Sequence, residues 1–88
     1  MSNPNQSNQS ISVVIRSPRG SDTFHFAKTT KVSDVIEEAR QRFGFEPGAF
    51  VLKRERDGSA LAPERPLVSY HLDDGEVLLL VPEMGSGV

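Results

Sequence analysis

TKVSDVIEEARQRFG, residues 30–44, repeats apolar side chains with the period of a helix. The apolar positions are separated by three, four and seven residues, and they are Val32, Val35, Ile36, Ala39 and Phe43. This spacing puts all five on one stripe of an amphipathic helix. Thr30 or Ser33 is predicted to cap the start of the helix, and Gly44 to end it. A helix with a single apolar stripe requires another layer to cover it.

Two strands are predicted before this helix. Residues 11–16 have isoleucine or valine at every odd position, which is typical of a half-buried strand. Residues 17–20, SPRG, are predicted to form a turn, and residues 23–27 resume the alternation with two phenylalanines on one face and His25 on the other. The two strands should therefore form a hairpin, with His25 facing solvent.

Further extended segments are predicted after the helix. Residues 50–55 read as a third strand, and Asp57-Gly58 is typical of a tight turn into a short fourth segment at residues 60–61. Residues 67–72 are expected to form a short helical turn or a compact loop. Residues 76–81 read as the last strand, which Pro82 ends.

This order of elements has few three-dimensional solutions. One helix covers only one face of a sheet, so the pattern predicts a two-layer α+β domain with the last strand in the middle, beside the first. We expect residues 11–82 to form this domain, residues 1–10 to be a disordered polar tail, and residues 83–88 to be a flexible C-terminal tail.

The composition excludes several classes of function. The 88 residues are 36% hydrophobic and 25% charged, with a formal net charge of −2, so the basic excess of nucleic-acid-binding proteins is missing. No apolar run approaches the length needed to cross a bilayer. The absence of cysteine removes thiolate metal sites and cysteine nucleophiles, and it fits a reducing cytoplasm. The sequence predicts a soluble, monomeric, cytoplasmic protein.

The residues do not predict an internal active site. His25 and His71 lie far apart in the predicted fold, and neither has a partner at metal-ligand spacing. Asp73 and Asp74 precede a glycine in a turn, where aspartate is favoured for its local hydrogen bonds. We therefore expect no metal, no cofactor and no enzymatic activity.

The stretch LAPERPLVSYHL, residues 61–72, resembles the part of ubiquitin between its short fourth strand and its last strand, with the leucines and the tyrosine in step. The resemblance extends from Ile11 to Gly87. It implies a ubiquitin-like β-grasp fold, in which one helix packs across one face of a mixed four- to five-stranded sheet. It also implies that the Tyr70 hydroxyl turns back to a nearby main-chain group.

The same resemblance places Gly87 on the terminal glycine that ubiquitin-like modifiers use for conjugation. Gly85 and Ser86 form a small-residue lead to it, although ubiquitin has glycine where Ser86 stands. Val88 lies one residue beyond Gly87, so a processing peptidase of the JAMM zinc type is implied. The implied partners are an activating enzyme, a conjugating enzyme, this peptidase and target proteins, as in bacterial ubiquitin-like pathways. The plainer alternative is that this terminus has no role.

A docking surface is predicted on the sheet face away from the helix. If Leu78 and Leu80 point into the core, Leu79 and Val81 must point the other way. An exposed apolar patch of this kind is typical of a docking surface, and by resemblance it lies where ubiquitin has its recognition patch. The other predicted members of the patch are Val14, Val51 and Lys53. By the resemblance, Lys53 stands in place of an isoleucine of ubiquitin's patch. The alternative is ordinary strand hydrophobicity, shielded by charged neighbours.

Three functions are consistent with these residues. The first is a protein modifier activated by adenylation at Gly87 and conjugated to target amines after removal of Val88. The second is a sulfur carrier of the molybdopterin or thiamine type, although such carriers usually expose a terminal diglycine. The third is a non-covalent β-grasp adaptor in which the terminus has no role.

Overall fold

The computed structural model describes residues 9–83, and the predicted tails therefore lie almost wholly outside the described residues. The elements are β1 Ser10–Ser17, β2 Gly20–Ala27, α1 Val32–Phe43, β3 Phe50–Arg54, β4 Ala60–Leu61, a 3₁₀ turn Leu67–Tyr70, and β5 Glu76–Pro82. The sheet has the strand order β2-β1-β5-β3-β4. β1 and β5 are parallel, and the other neighbours are antiparallel. The prediction of an α+β domain with its last strand beside the first is confirmed.

The core lies between the sheet and α1. Val32, Val35 and Ala39 of the helix are fully buried, and Ile36 and Phe43 pack against the same cluster. The predicted helical stripe is therefore confirmed. The sheet and the loops contribute the remaining buried apolar side chains: Ile11, Val13, Ile15, Phe24, Leu52, Leu61, Leu67, Leu72, Leu78 and Leu80.

The start of α1 differs from the prediction, because Lys31 occupies the N-cap position and no side chain caps the helix. The main-chain N–H groups of Val32 and Ser33 instead donate to the carbonyl oxygens of Arg65 and Pro63, each at 2.9 Å. The expectation that Thr30 or Ser33 caps the helix was therefore wrong, since a distant loop already satisfies these donors. The other end is as predicted, with Gly44 in the left-handed conformation at φ 78°.

Several strand ends differ from the sequence prediction. β2 begins at Gly20 because the hairpin turn has only two residues, and pairing resumes between Ser17 and Gly20 without any apolar alternation. β3 ends one residue early, at Arg54. β5 includes Pro82, which was expected to end it. Pro82 lies opposite Phe50, and β1 ends before it reaches Pro82, so no neighbouring strand needs its missing N–H.

The loop before β5 is fixed by Tyr70. The main-chain N–H of Ala62 donates to the Tyr70 hydroxyl oxygen at 2.7 Å, so the predicted bond from this hydroxyl to the main chain is confirmed. Among residues 9–83, no helix combines the length and the apolarity that a membrane crossing requires.

Candidate functional site

The predicted docking residues lie on the sheet face opposite α1. Side chains of a strand alternate between faces, and Leu52, Leu78 and Leu80 are buried under the helix. Their chain neighbours therefore point away from the core. We call this surface the outer face, and it consists of Val14, Val51, Lys53, Val77, Leu79 and Val81.

The strand register brings these residues together. The pairs across neighbouring strands are Val14 with Val77, Arg16 with Leu79, Lys53 with Leu79, and Val51 with Val81. Directly opposed side chains in a sheet lie within contact distance. The outer face is therefore one continuous surface across the three central strands, and it includes all five residues predicted from sequence.

The outer face is only partly open to solvent. Val81 is 36% exposed, and the other members are half-buried. A shallow apolar hollow of 210 Å³ lies between the β1–β2 turn and the end of β5, and Pro18, Leu79 and Val81 are among the residues that line it. This shape offers a partner a place for one or two apolar side chains.

Two cations border the outer face. Arg16 is paired with Glu55 at 2.5 Å, and both side chains are well exposed, so this pair adds little stability. The side chain of Lys53 makes no hydrogen bond or ion pair with any residue in the range 9–83. Within the described part of the chain, the outer face thus presents an ammonium group without a partner beside its apolar residues.

Sequence reasoning missed part of this surface. Val77 belongs to it, and the same alternation that indicated Leu79 would have found it one step earlier in the strand. Pro18 also borders it, and only the turn geometry brings Pro18 to the end of β5.

The residues with the predicted conjugation role are not among those described. Gly85, Ser86, Gly87 and Val88 all lie outside residues 9–83. The last described residue is Glu83, whose main-chain N–H donates to the carbonyl oxygen of Ala49 at 2.9 Å. The pairing of the β5 edge with β3 therefore extends as far as Glu83.

One surface cluster contains residue types used in catalysis. Ser12 Oγ lies 3.0 Å from His25 Nδ1, and Asp74 Oδ1 accepts the main-chain N–H of Ser12 at 3.0 Å. Asp74 makes no hydrogen bond or ion pair with the imidazole, so the serine–histidine–aspartate order of a triad is not formed. Within residues 9–83, no three His, Cys, Asp or Glu side chains are grouped to hold a metal ion.

Comparison with solved structures shows a ubiquitin-like β-grasp fold. A protein described as designed on the basis of ubiquitin gives a TM-score of 0.74 at 22% identity, over 91% of this chain and 98% of that chain. A structure described as molecular mimicry of SUMO that promotes DNA repair gives a TM-score of 0.74 at 20% identity, over 83% and 91%. The predicted fold class is confirmed.

A third similar structure is a crystal structure of a pParkin-pUb-UbcH7 complex. Its TM-score is 0.76 at 15% identity, over 88% of this chain and 24% of the matched chain. No protein-family model matches the sequence, and neither does any curated protein. The comparisons therefore identify the fold, and the function must be argued from the residues.

Proposed function

We propose that this chain is a ubiquitin-like protein modifier that is attached to target proteins through Gly87. The observation that supports this most directly is the position of Gly87, five residues after β5 of a ubiquitin-like fold ends at Pro82. Residues 85–87 have no side chain larger than that of serine. Small residues allow the backbone to pass through a narrow enzyme channel and allow its carboxylate to be approached closely.

The proposed chemistry takes place at the carboxylate of Gly87. A JAMM-type peptidase first hydrolyses the peptide bond between Gly87 and Val88. A carboxylate oxygen of Gly87 then attacks the α-phosphorus of ATP and releases pyrophosphate. A thiolate of the activating enzyme displaces AMP to form a thioester, which is passed to a conjugating enzyme. A target amine finally displaces the thiol to form an isopeptide bond. This need for ATP agrees with a cytoplasmic setting.

The outer face is the proposed docking surface for these enzymes. Gly87 lies four residues beyond Glu83, so the covalent chain places the two at most about 14 Å apart. An enzyme that acts on Gly87 must therefore lie close to the end of β5. Val81 and the hollow beside Pro18 are at that end.

The outer face also supports a second candidate function, a non-covalent adaptor. An apolar surface that includes a lysine suits a binding module as well as a modifier. The two candidates differ in whether Gly87 is chemically changed.

Intact-mass spectrometry tests the proposal. The full chain and a version that ends at Gly87 are incubated with ATP, a candidate activating enzyme and its conjugating enzyme. We expect the version ending at Gly87 to form an ATP-dependent thioester and then an adduct with protein lysines. The full chain should react only after the peptidase is added.

Matched variants of the version ending at Gly87 sharpen the test. Replacement of Gly87 by valine should abolish the adduct without changing the thermal unfolding midpoint. Replacement of Ser86 by glycine should leave adduct formation intact. A terminal thiocarboxylate in place of a lysine adduct would instead support a sulfur carrier. No ATP-dependent change in any form would support the adaptor.

A further inference from the structure

β4 leaves part of the β3 edge uncovered. β4 pairs only with Leu52 and Lys53, although β3 begins at Phe50. β4 ends at Leu61, and if its register continued, the residue opposite Phe50 would be Pro63, which has no N–H to donate. The carbonyl oxygen of Pro63 accepts the N–H of Ser33 at 2.9 Å. Within residues 9–83, no strand therefore pairs with Phe50 on this side.

The main-chain groups of Phe50 point toward this open edge. In an antiparallel sheet, successive residues of a strand bond alternately to its two neighbours. Ala49 accepts a hydrogen bond from Glu83 beside β5, while Arg54 N–H donates to Ser59 beside β4. Even-numbered residues of β3 thus face the β4 side. The N–H and C=O of Phe50 face an edge that the described chain leaves without a strand.

An apolar groove of 420 Å³ lies along this edge. Its walls come from the helix, β3, the end of β4 and the following loop, and the residues that line it include Ile36, Phe50, Val51, Pro63, Tyr70 and Glu83. Unpaired main-chain groups beside an apolar groove are the two features that a sheet uses to bind an extended peptide.

The charge at the groove indicates the kind of peptide. Glu83 lines the groove, and Glu64 follows directly after Pro63. Neither carboxylate makes an ion pair with any residue from 9 to 83. Glu64 is followed directly by the exposed Arg65, so the charge preference comes from Glu83, which favours a basic segment and disfavours an acidic one.

We propose that an extended peptide segment with an apolar residue flanked by lysine or arginine binds here as an added strand. The main-chain N–H and C=O of Phe50 exchange hydrogen bonds with the segment. Its apolar side chain enters the groove, and a basic side chain lies near Glu83. The groove shares Val51 with the outer face, but its main-chain contact is at Phe50, on the β4 side of β3. That contact involves no chemical change at Gly87, so binding here does not require conjugation.

NMR titration of the ¹⁵N-labelled chain tests the proposal with three peptides. They are acetyl-KVIVK-amide, the same peptide N-methylated at isoleucine, and acetyl-EVIVE-amide. The basic peptide should shift the amide signals of Phe50, Ile36 and Ala62. N-methylation removes a main-chain donor and should weaken binding by about threefold or more, as expected for one lost hydrogen bond. The acidic peptide should bind more weakly still.

Two charge-reversal variants complete the test. Replacement of Glu83 by lysine should weaken the basic peptide about two- to fivefold, as expected for an exposed ion pair. Glu38→Lys, at an exposed acidic position of α1 away from the groove, should leave its affinity unchanged. The proposal would be overturned if the Phe50 signal did not move at millimolar peptide. Equal binding of the N-methylated peptide, or shifts confined to outer-face residues other than Val51, would overturn it as well.

Discussion

Glu76 is a carboxylate that the fold buries at the start of β5. Its Oε1 accepts the main-chain N–H of Asp73 at 3.1 Å and a hydrogen bond from Arg56 Nη2 at 3.0 Å. Arg54 Nε lies 3.5 Å from Oε2. The Asp73 N–H, with help from the two arginines, holds the pKa of Glu76 below its usual value, although burial opposes this.

The lowered pKa makes stability depend on pH in one direction. A group whose pKa is lower in the folded state stabilises the fold when the pH is above its unfolded pKa, about 4.3 for glutamate. That stabilisation is lost as the pH falls through the folded-state pKa. The contribution of Glu76 is therefore fully present at neutral pH and disappears in acid.

Glu76→Gln should lower the free energy of unfolding at pH 7 by about 1–3 kcal/mol, since it weakens buried hydrogen bonds to charged groups. Urea unfolding at a series of pH values from 7 to 2 measures this. The difference in the free energy of unfolding between Glu76→Gln and the unchanged protein should become smaller as the pH falls. Glu64→Gln, at an exposed carboxylate, serves as the control and should change stability little at any pH. A loss that stayed constant with pH would contradict this account of Glu76.

Tyr70→Phe tests the hydrogen bond that fixes the loop before β5. Removal of the hydroxyl leaves the Ala62 N–H without its partner at 2.7 Å, which should cost about 1–2 kcal/mol. The measurement is the urea midpoint at neutral pH, with Ser69→Ala at an exposed neighbour as the control. Equal midpoints for the unchanged protein and Tyr70→Phe would mean that the Ala62 N–H finds another partner.

At the scale of an element, α1 is fixed differently at its two ends. Its start uses carbonyl groups of a loop about thirty residues later, which no local pattern in the sequence could indicate. Its end uses Gly44, whose position after the last apolar residue of the stripe made it predictable. Local sequence was therefore sufficient to predict where the helix ends, but it was insufficient to predict how the start of the helix is capped.

Gly44→Ala should lower the free energy of unfolding by about 1 kcal/mol, because the left-handed conformation disfavours any residue with a Cβ atom. The added Cβ would lie 3.7 Å from Arg19 Nη1, an ordinary contact, so crowding is not the cause. Ser33→Ala should change stability by less than about 0.5 kcal/mol, because its side chain does not cap the helix. Thermal unfolding compares the two. A larger loss for Ser33→Ala would show that its hydroxyl has a structural role.

At the scale of the whole molecule, the architecture could be predicted from the change of hydrophobic period. Alternation along β5 was also sufficient to place Leu79 and Val81 away from the core. The open edge at Phe50 could not be predicted, because it depends on the register between β3 and a two-residue strand. A strand register is set by contacts between residues that are distant in the chain, and these contacts cannot be inferred from a single sequence.

Val81→Glu tests the outer face as a docking surface. It should reduce the rate of thioester formation with the activating enzyme about tenfold, as expected for a central interface residue. Val68→Glu is a matched control, since Val68 is also exposed, at 46%, but lies in the 3₁₀ turn. Thermal unfolding should be similar for the two variants. Equal rates for both variants would exclude the outer face as the docking surface.

The pairing of β1 with β5 determines when the newly made chain can fold. Val13 pairs with Glu76, which is 63 positions later. At about 5–20 residues per second, a ribosome needs roughly 3–13 s to add that length. Throughout this delay the side of β1 that will meet β5 has no partner, and an unpaired strand edge attracts other chains. A translation product that stalls before β5 is therefore expected to be a substrate for chaperones or proteases.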